Sequence, residues 1–220
     1  MKKNEISKGL TILFIAFSIL DIIGIALHKI WLQAIFKPMI ILSVIILYYF
    51  SAEQRSKWYI SALFFSFFGD VFLLDKNGYF LLGIGSFLIT QILYIKIISG
   101  QLKKPNSKQI FGAIALFMVY FIVLISLLKN NLNEFLIPVI VYGITISIFG
   151  IVSLLNYFIN RTKISQILLW GSVLFIISDS MIALHKFHEP RPFYPVAIMI
   201  TYILAQYLIY RFMLGLKEKS

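Results

Sequence analysis

The sequence predicts an all-α, polytopic membrane protein: a single transmembrane domain over residues 1–220, folded as a bundle of eight helices with both termini cytoplasmic. Three observations predict it. Of the 220 residues, 60% are hydrophobic and 13% charged, whereas a soluble domain carries about 25% charged residues. Apolar runs of about 20 residues, the length that crosses a hydrocarbon core, recur along the whole chain. The Lys and Arg residues fall between these runs and mostly on one side, which sets orientation. The net charge of +11 is therefore read as topology and as attraction to anionic membrane lipids, with no nucleic-acid partner. With no cysteine in the chain, disulfide and thiolate chemistry are excluded.

The elements follow in order. After a basic tail, the first span runs from about Gly9 to Leu27. Its first half is signal-like, and Ala16-Phe17-Ser18 passes as a small-x-small cleavage site. The apolar run continues past that point, so the helix is expected to be retained. Asp21 in its later part is left between a helix-end residue snorkelling to the interface and a member of a polar site. The second span is expected after Phe36-Lys37-Pro38, ending near Phe50, with Pro38 in the first turn, where its missing N–H costs nothing. Lys37 would then stand at the membrane boundary. The third span, about Trp58 to Leu74, follows a polar loop and contains Asp70. Asp75-Lys76-Asn77-Gly78 reads as a turn.

The fourth span, roughly Tyr79 to Ser99, carries Gly83 and Ser86, which allow close helix approach, and Thr90 and Gln91, which can bond across helices. Gln91 and Tyr94 share one helical face. Lys103-Lys104-Pro105-Asn106 is a loop. The uncharged fifth span, about Gln109 to Leu128, reads as a lipid-facing or packing helix. The sixth, about Phe135 to Phe158, holds Gly143 and Gly150. The seventh, about Gln166 to Leu184, contains Asp179. A proline-stiffened loop, His185 to Pro192, leads to the eighth, about Phe193 to Met213, with Tyr202 and Gln206. His185 and His188 are read as interfacial loop residues.

An even number of spans puts both termini on one side. That side, with the loops after the second, fourth and sixth spans, holds fourteen of the twenty Lys and Arg residues, against six on the other. The termini are therefore expected in the cytoplasm. Spans three and seven then both run outward, and Asp70 and Asp179 come about 6–8 Å inside the outer boundary. Asp21, His28 and Lys37 reach the same end, with Gln91 and Gln206 deeper. The expected arrangement is an outward-opening cavity with a polar floor. The order Asp70, Gln91 and Asp179, Gln206 also hints at a parallel internal repeat.

The chemistry is sought in the two carboxylates, because an ionisable residue within a span is costly and marks a functional site by default. Each follows a small residue, in Phe67-Phe68-Gly69-Asp70 and in Ile177-Ser178-Asp179. Acid–base chemistry needs one carboxyl protonated and one ionised, which paired carboxylates in different surroundings supply. Asp70, among Phe67, Phe68, Val71 and Phe72, is expected as the acid. Asp179, between Ser178 and Ser180, is expected as the base or cation stabiliser, with those hydroxyls as donors. No metal-ligand spacing, nucleophile elbow or phosphate loop is present, so neither metal nor cofactor is expected.

Lys37-Pro38, Phe65 to Leu74, Gly83 to Leu88, Phe175 to Ser180 and Thr201 to Ile209 together resemble the YhhN family of lysoplasmalogenase-like integral membrane proteins. The resemblance keeps its order over most of the chain. It implies eight spans and hydrolysis of the vinyl ether of lysoplasmalogens, with the family's two intramembrane aspartates at Asp70 and Asp179. Where the family often has a histidine before the tyrosine matching Tyr94, this chain has Gln91, which cannot carry a proton. The expected substrate contacts are Lys37 to the phosphate, with Gln91, Tyr94, Tyr202 and Gln206. The substrate partner is a lysophospholipid, and the expected location is a bacterial inner membrane. The alternatives are a proton-coupled transporter, which would carry polar residues through both halves of the bilayer, and an inactive lysolipid-binding protein. Reporters placed after Ser220 and between Lys103 and Lys108 are expected to read cytoplasmic, and one near Asn77 outside; the opposite pattern would reverse the orientation.

Overall fold

The computed structural model describes residues 2–75 and 78–216, without the side chains of residues 2–4. Lys76 and Asn77 of the expected turn, the side chains of Lys2 and Lys3, and Lys217, Lys219 and Ser220 of the basic tail lie outside the described residues. The described residues form α1 (Lys2–Ala26), α2 (Ile30–Ser51), α3 (Lys57–Phe72), α4 (Phe80–Ser99), α5 (Ser107–Leu128), α6 (Leu136–Asn160), α7 (Lys163–Phe187) and α8 (Tyr194–Gly215), with no strand among them. Seven of these helices are long and apolar enough to cross a membrane, which marks an integral multi-pass membrane protein. The eighth, α3, has 16 residues. At 1.5 Å per residue it reaches about 24 Å, short of a hydrocarbon core of about 30 Å.

Local sequence explains the boundaries. Asn106 and Gln109 form a reciprocal capping box at the start of α5, and Thr162 and Ser165 form another at the start of α7. Each pair satisfies two N–H groups that a helix start leaves open. The second helix departs from expectation. It begins at Ile30, so Pro38 lies inside it, not in its first turn. Proline's fixed φ suits a helix, and the cost is the absent N–H towards the Ala34 carbonyl, which membrane helices tolerate. Lys37 thereby moves from the helix start to about 10 Å along α2.

The chain divides into two compact units, residues 1–90 with 210–220, and residues 91–209. In the first, α1 and α2 are an antiparallel pair. Phe17 meets Phe36 with ring centroids 6.0 Å apart, and the Ser7 and Ser51 hydroxyls are 3.0 Å apart at the other end. Tyr48 packs edge-on to Tyr59, joining α2 to α3. The antiparallel α3 and α4 close tightly because small residues let them. A Cβ at Gly69 would stand 2.6 Å from the Phe87 ring, and one at Gly83 would stand 2.6 Å from Leu73. Ser66 donates to the Thr90 hydroxyl at 3.3 Å.

In the second unit, Gly143 and Gly150 of α6 receive Phe121 and Phe117 of α5, and Gly171 of α7 receives Leu208 and Ile209 of α8. The outer face of α5 exposes Phe111, Leu116, Met118, Val119, Ile122 and Val123, as a lipid-facing helix does.

The turn between α1 and α2 places His28 at φ 52°. The Lys29 N–H bonds to the Gly24 carbonyl at 2.8 Å, and the His28 N–H bonds to the Ile25 carbonyl at 3.1 Å. These are the two bonds of a Schellman ending, whose left-handed position favours glycine. His28→Gly is expected to stabilise the protein by about 0.5–1 kcal/mol, read as a higher unfolding midpoint in detergent; a lower midpoint would mean that the histidine side chain holds the turn.

Candidate functional site

The polar residues fall into one group in the second unit and two places in the first. The group in the second unit centres on Asp179 of α7, 7% exposed. Its Oδ2 accepts from the Gln91 amide of α4 at 3.0 Å and from the Tyr142 hydroxyl of α6. The same Gln91 nitrogen donates to the Tyr142 oxygen at 2.7 Å. The bonds run in one direction. The amide gives both its protons, the phenol accepts one and donates its own, and a single carboxylate oxygen accepts twice. A carboxylate is the acceptor-only group that suits that end of the chain, and the acceptors fix which end of the Gln91 amide is nitrogen.

The flanking serines do not fill the role expected of them. Ser178 donates to the Ile198 carbonyl at 3.1 Å. Ser180 donates to the Ile176 carbonyl at 2.6 Å and lies 2.8 Å from the Tyr120 hydroxyl of α5. A hydroxyl has one proton, so neither serine has one left for Asp179. The reason is helical geometry: sequence neighbours point about 100° apart, so residues beside Asp179 face other helices.

A second layer lies one or two turns away on the same helices. Tyr94 donates to Gln206 of α8 at 3.0 Å. Its ring meets Phe149 of α6 at 5.7 Å and Phe175 of α7 at 6.4 Å, and Phe175 meets Tyr202 at 5.9 Å. Tyr94 is three residues after Gln91, Phe149 seven after Tyr142 and Phe175 four before Asp179, spacings that return to one helical face. The aromatic layer therefore sets the rotation of the three helices that meet at Asp179. Of the expected substrate contacts, Gln91 is at the carboxylate, while Tyr94, Tyr202 and Gln206 make this buried layer.

In the first unit, Asp70 is 2% exposed and lies in the last turn of α3, one turn beyond Ser66. The α3–α4 register sets it level with Ser86, between the Gly69–Phe87 and Gly83–Leu73 contacts. Asp179 stands two turns before the end of α7. Asp21 is 0% exposed, which corrects the snorkelling alternative. Lys37, half-buried on α2, is near enough for its charge to act on the Asp21 carboxyl.

Tyr142 and Tyr120 were not legible as site residues. A tyrosine in a span reads as aromatic filler or as an interfacial belt residue. The available signal was that Tyr120 falls mid-span, away from any belt. Among the described residues, no group of three His, Cys, Asp or Glu side chains is arranged to hold a metal ion.

The YhhN family model matches residues 32–213, a stretch that includes Lys37, Asp70, Gln91, Tyr142 and Asp179 and begins after Asp21. No curated protein and no solved structure matches the chain.

Because Tyr142 and Gln91 share one oxygen, Tyr142→Phe and Gln91→Met are expected to be coupled. A double-mutant cycle on unfolding stability should return about 0.6 kcal/mol and at most about 1.7, the range of hydrogen bonds within membranes. Additive losses would show that the two donors act separately.

Proposed function

The chain belongs to the YhhN family, and we propose that it is an integral membrane hydrolase that cleaves the vinyl ether bond of lysoplasmalogen-type lysophospholipids to a fatty aldehyde and a glycerophospho-headgroup. The observation that carries the reading is Asp179, a carboxylate within a membrane helix whose oxygen is held by two donors from two other helices. Groups in a low-dielectric site that are already oriented need no rearrangement as charge develops in the reaction.

In this proposal Asp70 is the acid. Its proton goes to the β-carbon of the vinyl ether, leaving an oxocarbenium ion. Asp179 faces that cation and takes a proton from the attacking water, whose oxygen bonds to the former vinyl carbon. The hemiacetal then collapses. Its hydroxyl proton returns to Asp70, the carbon–oxygen bond to glycerol breaks, and the leaving oxygen takes the proton held by Asp179. Both carboxyls are restored, and one water has been consumed. Tyr142 and Gln91 hold Asp179 in place, and Lys37 takes the phosphate.

We further propose that α3, extended by Leu73 and Leu74, is the eighth span. Both termini then face the cytoplasm, and the protein sits in a bacterial inner membrane. The competing reading is a lysolipid-binding protein without turnover. It draws on Gln91, an amide whose protons are both engaged and which cannot relay one.

Aldehyde release by the purified protein in detergent separates the two readings. Asp70→Asn and Asp179→Asn should each lower kcat by about 10²-fold or more, and the double variant should be little worse than the worse single one, as for residues acting as a unit. Wild-type turnover in folded Asp70→Asn protein would refute the assignment. Lys37→Ala should raise KM more than it lowers kcat, since phosphate binding is mostly uniform between ground and transition states.

A further inference from the structure

We infer that the side-chain oxygen of Gln91 holds the water that attacks the oxocarbenium ion, accepting one of its protons while the Asp179 carboxylate accepts the other. The inference rests on the hydrolase reading above and assigns a second residue to a step that the reading gives to Asp179 alone.

Gln91 is 0% exposed, and its nitrogen is fully used. One N–H goes to the Tyr142 hydroxyl at 2.7 Å and the other to Asp179 Oδ2 at 3.0 Å. Turning the amide over would set its oxygen against the carboxylate, so these two bonds fix where the oxygen points. That oxygen is buried and, among the described residues, receives no hydrogen bond. An unpaired buried acceptor is costly, and no bulk water reaches it within a bilayer. The nearby hydroxyls have no proton to give it. Tyr142 donates to Asp179, Ser178 to the Ile198 carbonyl and Ser180 to the Ile176 carbonyl. Tyr120 is engaged with Ser180 at 2.8 Å, and Tyr94 donates to Gln206 at 3.0 Å.

The planar amide also fixes a spacing. With the nitrogen bonded to Oδ2, Gln91 Oε1 stands about 4–5 Å from that oxygen. One atom bridges two acceptors so placed if it carries two protons and makes O–H···O bonds of about 2.7–2.8 Å to each. Water does so, whereas an alcohol has one proton and satisfies one acceptor. The carboxylate has acceptor positions beyond the two that Gln91 and Tyr142 occupy. A water held by both protons keeps its lone pairs for the cation. As its oxygen bonds to the former vinyl carbon, one proton passes to Asp179. The other stays on the new hemiacetal hydroxyl, which donates to Gln91 until the hemiacetal collapses. Gln91 neither gains nor loses a proton.

The test sets methanol against water. Methanol satisfies Asp179 and leaves the amide oxygen unpaired. The purified protein is given a lysoplasmalogen in detergent with a fixed fraction of methanol, and the methyl mixed acetal is measured against the aldehyde. The wild-type ratio of mixed acetal to aldehyde should lie about 10-fold or more below that from acid cleavage of the same lipid in the same solvent. Gln91→Met should bring it up to the acid value. The ratio is set after the ether is protonated, so it does not respond to the loss of rate that a structural defect causes. A wild-type ratio equal to that of acid cleavage would overturn the inference, and so would a low ratio that persists in folded Gln91→Met protein. A second readout needs no turnover. The Gln91 side-chain amide protons, assigned in NMR spectra by their loss in Gln91→Met, should show through-space transfer from a bound water in the wild-type protein, and absence of that transfer would also overturn the inference. Absent aldehyde release would count against the hydrolase reading, and the water signal would still decide whether Gln91 holds a water.

Discussion

A carboxylate in a membrane helix has no bulk water to satisfy it, so the protein must bring it donors. At Asp179 that requirement is met by one amide and one phenol on one oxygen, and it ties α4, α6 and α7 together. The tie works only if each helix is turned to a particular angle. The aromatic layer of Tyr94, Phe149, Phe175 and Tyr202 supplies the angle, because each of its members on those helices shares a face with a member of the polar group. Packing and polarity thus fix the same rotation twice, at two levels of the unit. Loss of either layer would leave the other with donors or rings aimed at lipid.

In the first unit, close approach does the equivalent work. Gly69 and Gly83 let Phe87 and Leu73 sit against backbone, and the Thr90 hydroxyl is shared between Ser66 and the Ala62 carbonyl. Each such bond within a membrane contributes on average about 0.6 kcal/mol, so the gain lies less in strength than in register. The alignment that pairs Gly69 with Phe87 and Gly83 with Leu73 leaves Asp70 between two close contacts. A larger residue at either glycine would move the helices apart at the level of the carboxyl.

Helix existence was legible in the sequence because the apolar runs are long and are bounded by caps such as Asn106 and Thr162. The close contacts of Gly83 and Thr90 were legible from their size and hydroxyl. Pro38 misled because proline favours a first turn in general, and the sequence does not say that eight residues before it are already helical. Ser178 and Ser180 misled for a different reason: adjacency in sequence is not adjacency in space on a helix. Tyr142 was hidden by its chemistry. A phenol fills a core, anchors at an interface or donates a hydrogen bond, and only the rotation of α6 decides which. Asp21 was left open because its exposure depends on how α2 covers it, and α2 starts earlier than Pro38 suggested.

The amide at position 91 has a consequence for proton traffic. Histidine in that place would be able to exchange donor for acceptor by shifting a proton between its ring nitrogens. Gln91 has no such freedom. Both its N–H groups are committed, one to Tyr142 and one to Asp179, so it orients and does not relay. The Tyr142 hydroxyl donates to the same Asp179 oxygen and is itself held by the amide that it accepts from. Under the hydrolase reading, Asp179 then exchanges protons only with water and with the leaving oxygen. Catalysis would depend on the carboxyls alone, with the phenol and the amide acting as a fixed frame.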